Sequence, residues 1–248
     1  MKLIETVRGF VRKIIYKENA TSADLVDYLR AHGAVIGEGV IIYSPNKTLI
    51  DKSRPWLLTI GNQVRITEGV KILTHDYSWS VLKCCDNAGF QPGEILGAES
   101  AVTIGNNVFI GMNAIITRGV TIGDNVIIGA GSVVTKDCES NSVYAGSPAR
   151  RIMSISEYYE KRKRQQFAEA RSFAIRYKER MGKEPPQEVF TEYFMLFCTL
   201  DEAVAVDVFR SQMCTSGNYD VCAQYMKNHE PMFPDYQTFL QACYGVTD

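Results

Sequence analysis

The sequence predicts an all-β fold, a parallel β-helix with helical additions at both ends, and three observations carry that reading. An aliphatic residue recurs every six positions, from Ile104 through Ile110, Ile116, Ile122 and Ile128 to Val134. Two residues before each of the last five stand Val108, Ala114, Val120, Val126 and Ser132, and Cys138 closes that series. Gly105, Gly111, Gly123 and Gly129 follow the aliphatic position, with Thr117 and Thr135 as exceptions, and Asn106, Asn107, Asn113, Asp124, Asn125 and Asp137 fill much of the remainder.

The physical meaning of the period follows from strand geometry. Alternate residues of a strand point the same way, so the small residue and the aliphatic two places later both face inward. Gly and Asn tolerate turn conformations that other residues resist, and so mark the corners. Three such sides close a coil of 18 residues, and residues 104–139 hold two coils. Ile60, Ile66 and Ile72, with Val64 and Val70, supply another, and Ile36 with Ile42 begins one more. Strands stacked about 4.8 Å apart then give a prism roughly 20 Å tall for four to five coils. A β-sandwich does not fit, since its strands recur at about 8–12 residues.

Outward positions carry separate information. Phe109 with Ile127, and Ile115 with Val133, make two outer faces apolar, whereas Thr121 and Glu139 make the third polar. Exposed apolar strips are candidate association surfaces, and a threefold ring in which one face meets another would cover both. The competing reading is that terminal helices cover them.

Composition narrows the function classes. The 248 residues carry a formal charge of −1, with Lys+Arg 27 against Asp+Glu 28, which gives no ground for nucleic-acid binding. Seven scattered Cys (Cys84, Cys85, Cys138, Cys198, Cys214, Cys222 and Cys243) match no zinc spacing and read as free thiols of a reducing compartment. Arg8, Arg12 and Lys13 interrupt the N-terminal apolar residues, so no signal peptide is expected, and no stretch approaches the roughly 18 apolar residues of a membrane span. A cytoplasmic location is the expectation.

The run from Ile122 to Asp137 (Ile-Gly-Asp-Asn-Val-Ile-Ile-Gly-Ala-Gly-Ser-Val-Val-Thr-Lys-Asp), followed by Ala145-Gly-Ser-Pro-Ala-Arg150, resembles the signature of hexapeptide-repeat acyltransferases, in particular the maltose/galactoside O-acetyltransferase-like branch that includes polysaccharide-modifying enzymes. The resemblance covers about residues 33–155. It implies a left-handed coil, against the usual right-handed crossover, and homotrimers that hold acetyl-CoA, the acyl donor, in a groove between subunits. It further implies backbone contacts to CoA near Gly111, Gly129 and Ala130. Thr135, Lys136, Arg150 and Arg151 are candidate contacts to its phosphate and adenine side, where cations pair with phosphate; solvated surface charge is the alternative for each.

Three His are present, His32, His75 and His229. In the coil begun at Ile72 the inward small position falls on Asp76, so the pattern fails beside His75, and an excursion of about 25 residues (76–101) follows before Val102 resumes the repeat. Long excursions in a regular solenoid are more often functional than structural. Transfer from a thioester needs a base for the attacking hydroxyl or amine, and histidine suits that task near neutral pH. His75 is the expected base, with direct attack of the acceptor on the acyl carbonyl. Asp76 is the expected orienting carboxylate, with Glu94 and Glu99 as competitors. Tyr77 and Trp79 either stack on a sugar or anchor the loop, and Glu94 joins them as a candidate acceptor contact. His32 and His229 read as structural. No metal is expected: the zinc-binding β-helix carbonic anhydrases need three His at a compact spacing, which is lacking here.

Residues 1–33 are read as a helical cap, 34–153 as the β-helix and 154–248 as an α-helical extension. Leu3, Ile4, Val7, Phe10, Val11, Ile14 and Ile15 form a helical stripe among basic residues, expected to cap the open end of the coil, with a peripheral membrane contact as the alternative. Ser154 and Glu157 open a helix ending near Met181-Gly182. Pro185-Pro186 starts another, and helices follow over about 201–213, 219–228 and 235–243. The expected activity is acetyl-CoA-dependent O-acetylation of a sugar or polysaccharide precursor; N-acylation of an amino sugar and a non-catalytic scaffold are the alternatives.

Overall fold

The structure, a computed structural model, describes residues 11–86 and 89–245. Residues 11–16 are helical, and α1 (Ser22–Ala31) follows, its N-terminus capped by the Thr21 side chain accepting from the Asp24 N–H. Short strands then recur coil by coil. The first coil holds β1 (Val35–Ile36), β2 (Ile41–Ile42) and β3 (Leu49–Ile50); the second β4 (Leu58–Ile60), β5 (Arg65–Ile66) and β6 (Lys71–Ile72). The third holds β7 (Val102–Ile104), β8 (Phe109–Ile110) and β9 (Ile115–Ile116); the fourth β10 (Thr121–Ile122), β11 (Val126–Ile128) and β12 (Val133–Val134). β13 (Ser142–Gly146) adds a fifth rung to one side, and β14 (Ala149–Ser154) turns back antiparallel on it.

The strands assemble into three sheets, β1-β4-β7-β10, β14-β13-β11-β8-β5-β2 and β12-β9-β6-β3, parallel throughout except for β14. This is a three-sided parallel β-helix. Register follows the period: Ile60 faces Ile104 and then Ile122, Ile66 faces Ile110 and then Ile128, and Ile72 faces Ile116 and then Val134. All of these are buried, as are Val64, Val70, Val108, Ala114, Val120 and Val126 two places before. Each buried Val or Ile contributes about 1.5–3 kcal/mol of hydrophobic stabilisation. Ser132, buried at the equivalent place, has its hydroxyl satisfied by the Gly146 N–H.

The corners show what Gly and Asn do. Asn107, Asn113 and Asn125 have positive φ, so the left-handed corner falls to them. Gly105 and Gly111 lack positive φ; a Cβ on Gly105 would lie 2.8 Å from the Gly123 carbonyl carbon, and one on Gly111 would lie 2.5 Å from the Ala130 nitrogen. These glycines let successive coils stack, a different reason from the turn conformation expected of them. Side-chain ladders tie the same corner: Asn107 donates to Asn125 and Asn125 to Asn141, each at 2.9 Å.

Two expectations about the solenoid change. The fold class is not all-β, because strands of two or three residues alternate with irregular corners while the chain after β14 is α-helical. Glu139 does not stack on Thr121, because the last coil is two residues short: Cys138 bridges Ile122, and Asp137 accepts from the Thr121 N–H.

The described part of the chain divides into a compact unit ending at Ser156 and a second beginning at Glu157. In the first, Leu25, Val26 and Leu29 of α1 join Ala34, Ile36 and Ile42 in the core that runs up the prism. The first coil is thus covered by α1. Of the stripe expected to cap it, Leu3, Ile4, Val7 and Phe10 lie outside the described residues, while Val11, Ile14 and Ile15 are exposed.

The 27-residue α2 (Ile155–Met181) ends at Gly182, in the left-handed conformation. The helix expected after Pro185-Pro186 is replaced by 3₁₀ turns at Gln187–Val189 and Phe194–Leu196, which bring Phe190, Phe194 and Phe197 into one core. Short helices α3 (Leu200–Ala205), α4 (Asp207–Met213), α5 (Tyr219–Met226) and α6 (Tyr236–Tyr244) enclose it with Phe209, Met213, Met226 and Phe239. Among the described residues no helix is long and apolar enough to cross a membrane.

Candidate active site

His75 stands three residues past Ile72, where the second coil opens into its excursion. Both ends of that excursion are pinned: the Asp76 N–H donates to the Ala98 carbonyl, the Ser100 N–H to the Thr74 carbonyl, and His75 bridges Glu99 antiparallel. The coil therefore fixes the backbone of His75, although a long loop follows it.

Its side chain is held from the coil below. Nδ1 of His75 lies 2.5 Å from Oδ2 of Asp51, the residue after β3. Asp51 is buried, and its four lone-pair positions are all used. Oδ1 accepts from the Ser53 N–H at 2.9 Å and the Ser53 hydroxyl at 2.6 Å. Oδ2 accepts from the Thr74 hydroxyl at 2.5 Å as well as from His75. Burial alone would push the Asp51 carboxyl up, but the hydrogen bonds from Ser53, Thr74 and His75 outweigh it and hold the group far below the usual carboxylate range. An ionised carboxylate only accepts, so it is Nδ1 of His75 that donates in this hydrogen bond.

The imidazole lines an open cleft of about 640 Å³ with Leu73, Asp76, Tyr77, Thr117, Arg118 and Thr135. Leu73, Thr117 and Thr135 are the residues that follow Ile72, Ile116 and Val134, so one corner of three successive coils forms the wall. In the third and fourth coils Gly stands after the aliphatic at the other two corners; here Thr117 instead donates its hydroxyl to the Val134 carbonyl of the next coil at 3.0 Å.

The structure brings together only part of the expected site. His75, Asp76, Tyr77 and Thr135 share the cleft. Asp76 does not reach the imidazole: it accepts from the Ser78 N–H at 2.6 Å and faces Arg118 at 3.8 Å, contacts that lower its carboxyl. Glu99 pairs with Arg54 at 2.5 Å. Glu94 is exposed and does not line the cleft. Trp79 is half-buried with its ring 4.8 Å from that of Tyr77, whose own side chain is exposed. Lys136 is exposed beside Thr135. Gly111, Gly129 and Ala130 lie at a different corner, between β8 and β9 and between β11 and β12. Arg150 and Arg151 are exposed on β14, where Arg151 donates to Ser142. His32 hydrogen-bonds the Tyr28 carbonyl and His229 the Met195 carbonyl. Among the described residues no group of His, Cys, Asp and Glu is placed to hold a metal ion.

Asp51 and Arg118 were not singled out from sequence. The signal for Asp51 was Ile50, third aliphatic of the first coil; it follows Ile42 by eight residues instead of six, so the period passes over it.

Residues 101–136 match the family model for the bacterial transferase hexapeptide (six repeats). Protein CapG of Staphylococcus aureus is 43% identical over 133 residues, which are 53% of this chain and 72% of CapG. Among solved structures, the polySia specific acetyltransferase NeuO aligns at 28% identity over 48% of each chain with a TM-score of 0.34, so this chain spans about half its length. A maltose O-acetyltransferase from Clostridium difficile 630 aligns at 29% identity over 61% of this chain and 87% of its own, with a TM-score of 0.37. The third and fourth coils carry the family match, and the 43% identity to CapG covers 72% of that protein; the chain belongs to the bacterial hexapeptide-repeat transferases.

Proposed function

We propose that the protein is an acetyl-CoA-dependent O-acetyltransferase acting on a sugar hydroxyl of a polysaccharide or its precursor, with His75 as the base. The observation that supports this reading is the hydrogen bond between His75 Nδ1 and the Asp51 carboxylate, made by an imidazole that lines an open cleft. The resemblance of residues 122–137 and 145–150 to the maltose/galactoside O-acetyltransferase-like branch supports the donor and the sugar acceptor.

In the proposed reaction the acceptor hydroxyl gives its proton to His75 Nε2 as its oxygen bonds to the thioester carbonyl carbon. The tetrahedral oxyanion then collapses, the carbon–sulfur bond breaks, and the imidazolium returns the proton to the departing CoA thiolate. Asp51 holds the ring and stabilises the transient imidazolium, and it stays ionised throughout. Thr135, Lys136, Arg150 and Arg151 are the proposed contacts to the CoA phosphates and adenine side, with Gly111, Gly129 and Ala130 offering backbone to it. Tyr77 is the proposed sugar-stacking surface. Trp79 supports it, and Glu94 is a further acceptor contact.

Homotrimeric assembly in a left-handed coil, with CoA between subunits, completes the reading. The outer positions Phe109 and Ile127, and Ile115 and Val133, pair across neighbouring coils as such an interface requires, and Phe109 is 42% exposed. The transfer unit is assigned to residues 34–153, the preceding helices to a cap and residues 154–248 to an α-helical extension, in a cytoplasmic protein.

The test is thiol release from acetyl-CoA against a panel of sugars and nucleotide sugars, with mass detection of an acetylated product. O-acetylation gives a hydroxylamine-labile ester; a resistant amide would replace it with N-acylation of an amino sugar. Absence of turnover with every acceptor, together with unchanged CoA binding in His75→Ala, would replace both with a scaffold role.

A further inference from the structure

We propose that Arg118 selects an acidic acceptor: its guanidinium takes the carboxylate of a uronic-acid-type sugar held beside His75. The inference rests on the transferase reading of this cleft and names the class of sugar it accepts. Among the described residues that line the cleft, Arg118 is the one Lys or Arg. It stands at the corner between β9 and β10, one rung on from the corner that carries His75. Thr117 beside it spends its hydroxyl on the Val134 carbonyl, and Gly119, in the left-handed conformation, turns the chain directly after it.

The guanidinium is paired but not consumed. Its nearest carboxylate oxygen is Oδ2 of Asp76, 3.8 Å from Nε, which is beyond hydrogen-bond reach. Asp76 itself accepts from the Ser78 N–H through Oδ1. Among the described residues none accepts a hydrogen bond from Arg118, so its five N–H donors are available to a ligand. Arg162 shows the opposite case in the same chain: both of its terminal nitrogens are spent on Glu169, at 2.8 and 2.7 Å.

Charge and place select the ligand. A planar fork of donors matches a carboxylate, which it binds through two parallel hydrogen bonds. Asp76 limits the charge that fits. A carboxylate brings one negative charge to the Arg118–Asp76 pair, whereas a phosphate monoester brings about two and meets more repulsion. The acyl donor is a poor match for the same group: its charges sit on phosphates, at the far end of the pantetheine arm from the thioester. Arg118 instead pairs with the residue next to His75, where the thioester carbon reacts. Tyr77, 65% exposed and lining the same cleft, offers a ring face to the sugar. A sugar held through its carboxylate keeps its hydroxyls free for His75.

The experiment measures kcat and KM, with acetyl-CoA as donor, for the methyl glycosides of glucuronic and galacturonic acid and of their neutral counterparts, glucose and galactose. The wild type is expected to favour the acidic glycosides by about tenfold or more in kcat/KM, the usual worth of hydrogen bonds to a charged group. Arg118→Gln is expected to cut that acidic-to-neutral ratio by about tenfold or more, through KM for the acidic acceptor and with KM for acetyl-CoA as in the wild type. Arg118→Lys, which keeps the charge without the fork, should recover only part of the ratio. Turnover without an acidic preference, an equal loss on both acceptor types, or a raised KM for acetyl-CoA overturns the proposal and leaves the transferase reading standing. Ligand-observed NMR of the same glycosides with the full chain separates the two ideas if nothing turns over. Arg118-dependent binding of the acidic glycosides then upholds the carboxylate site against the transferase reading, and absence of that binding overturns both.

Discussion

His75 Nδ1 lies 2.5 Å from Asp51 Oδ2 although 24 residues separate them, because stacking of the first coil beneath the second brings the two together. Asp51 is saturated with donors from Ser53 and Thr74, so it holds the imidazole at a fixed position and in one tautomer.

Replacing this pair should separate binding from chemistry. His75→Ala is expected to lower kcat by about 10²- to 10⁴-fold, the usual worth of a positioned general base, with little change in KM for acetyl-CoA. Asp51→Asn is expected to lower kcat by about tenfold or more, because an amide can hold the wrong tautomer. Asp76→Asn, whose carboxylate faces Ser78 and Arg118, should stay within about threefold of the wild type in steady-state kinetics, the outcome for a group that plays no part in proton transfer.

Acid should uncover the Asp51 contribution to stability. Its folded carboxyl is held below the ordinary aspartate value, so its stabilisation is complete above the unfolded pKa and lost as pH falls through the folded one. The stability difference between wild type and Asp51→Asn is therefore expected to be constant above about pH 5 and to shrink below about pH 4, the ordinary aspartate range. Urea unfolding across that range reads it directly.

Coil stacking predicts which glycines matter. A Cβ at Gly105 would sit 2.5 Å from Asp124 Oδ1 and 2.8 Å from the Gly123 carbonyl carbon, and backbone must move to admit it. Gly105→Ala is expected to destabilise by about 1–3 kcal/mol. Gly97, in the excursion, has nothing within 4 Å of that position and no positive φ, so Gly97→Ala should fall within about 0.5 kcal/mol of the wild type. Thermal unfolding of the two variants makes the comparison.

The thiols should divide by burial. Cys138 and Cys198 are buried, and that burial pushes both up to about 12, while buried Cys243 is pushed up to about 11. Cys84 and Cys214 are exposed. Alkylation of the native protein near neutral pH, mapped by mass spectrometry, is expected to mark Cys84 and Cys214 first and to reach the other three only on unfolding.

The sequence determined the prism by itself, because a six-residue period is a local property: it decides which side chains face inward and how many residues make a side. From Ile104 to Val134 every coil position was legible. His75 was legible too, since it stands where the period breaks. The long helix ending at Gly182 was readable from its caps, whereas the segment after Pro186 was not: its aromatics pack in 3₁₀ turns around a core that no local pattern describes. The class was misjudged because the repeat was the clearest signal, although the helical unit is long.

What only the tertiary structure decided is the partner of His75. Asp76 is its neighbour in sequence, but adjacent side chains diverge, and Asp76 turns to Ser78 and Arg118 instead. Asp51 precedes it by more than one regular coil, across an extended corner and the turn at Pro55–Leu57, so counting by six or eighteen does not reach it. In a solenoid the neighbour that matters chemically lies one rung away, and the distance along the chain to that rung depends on each insertion between. The repeat fixed the shape of the rung; the stacking of rungs chose the carboxylate.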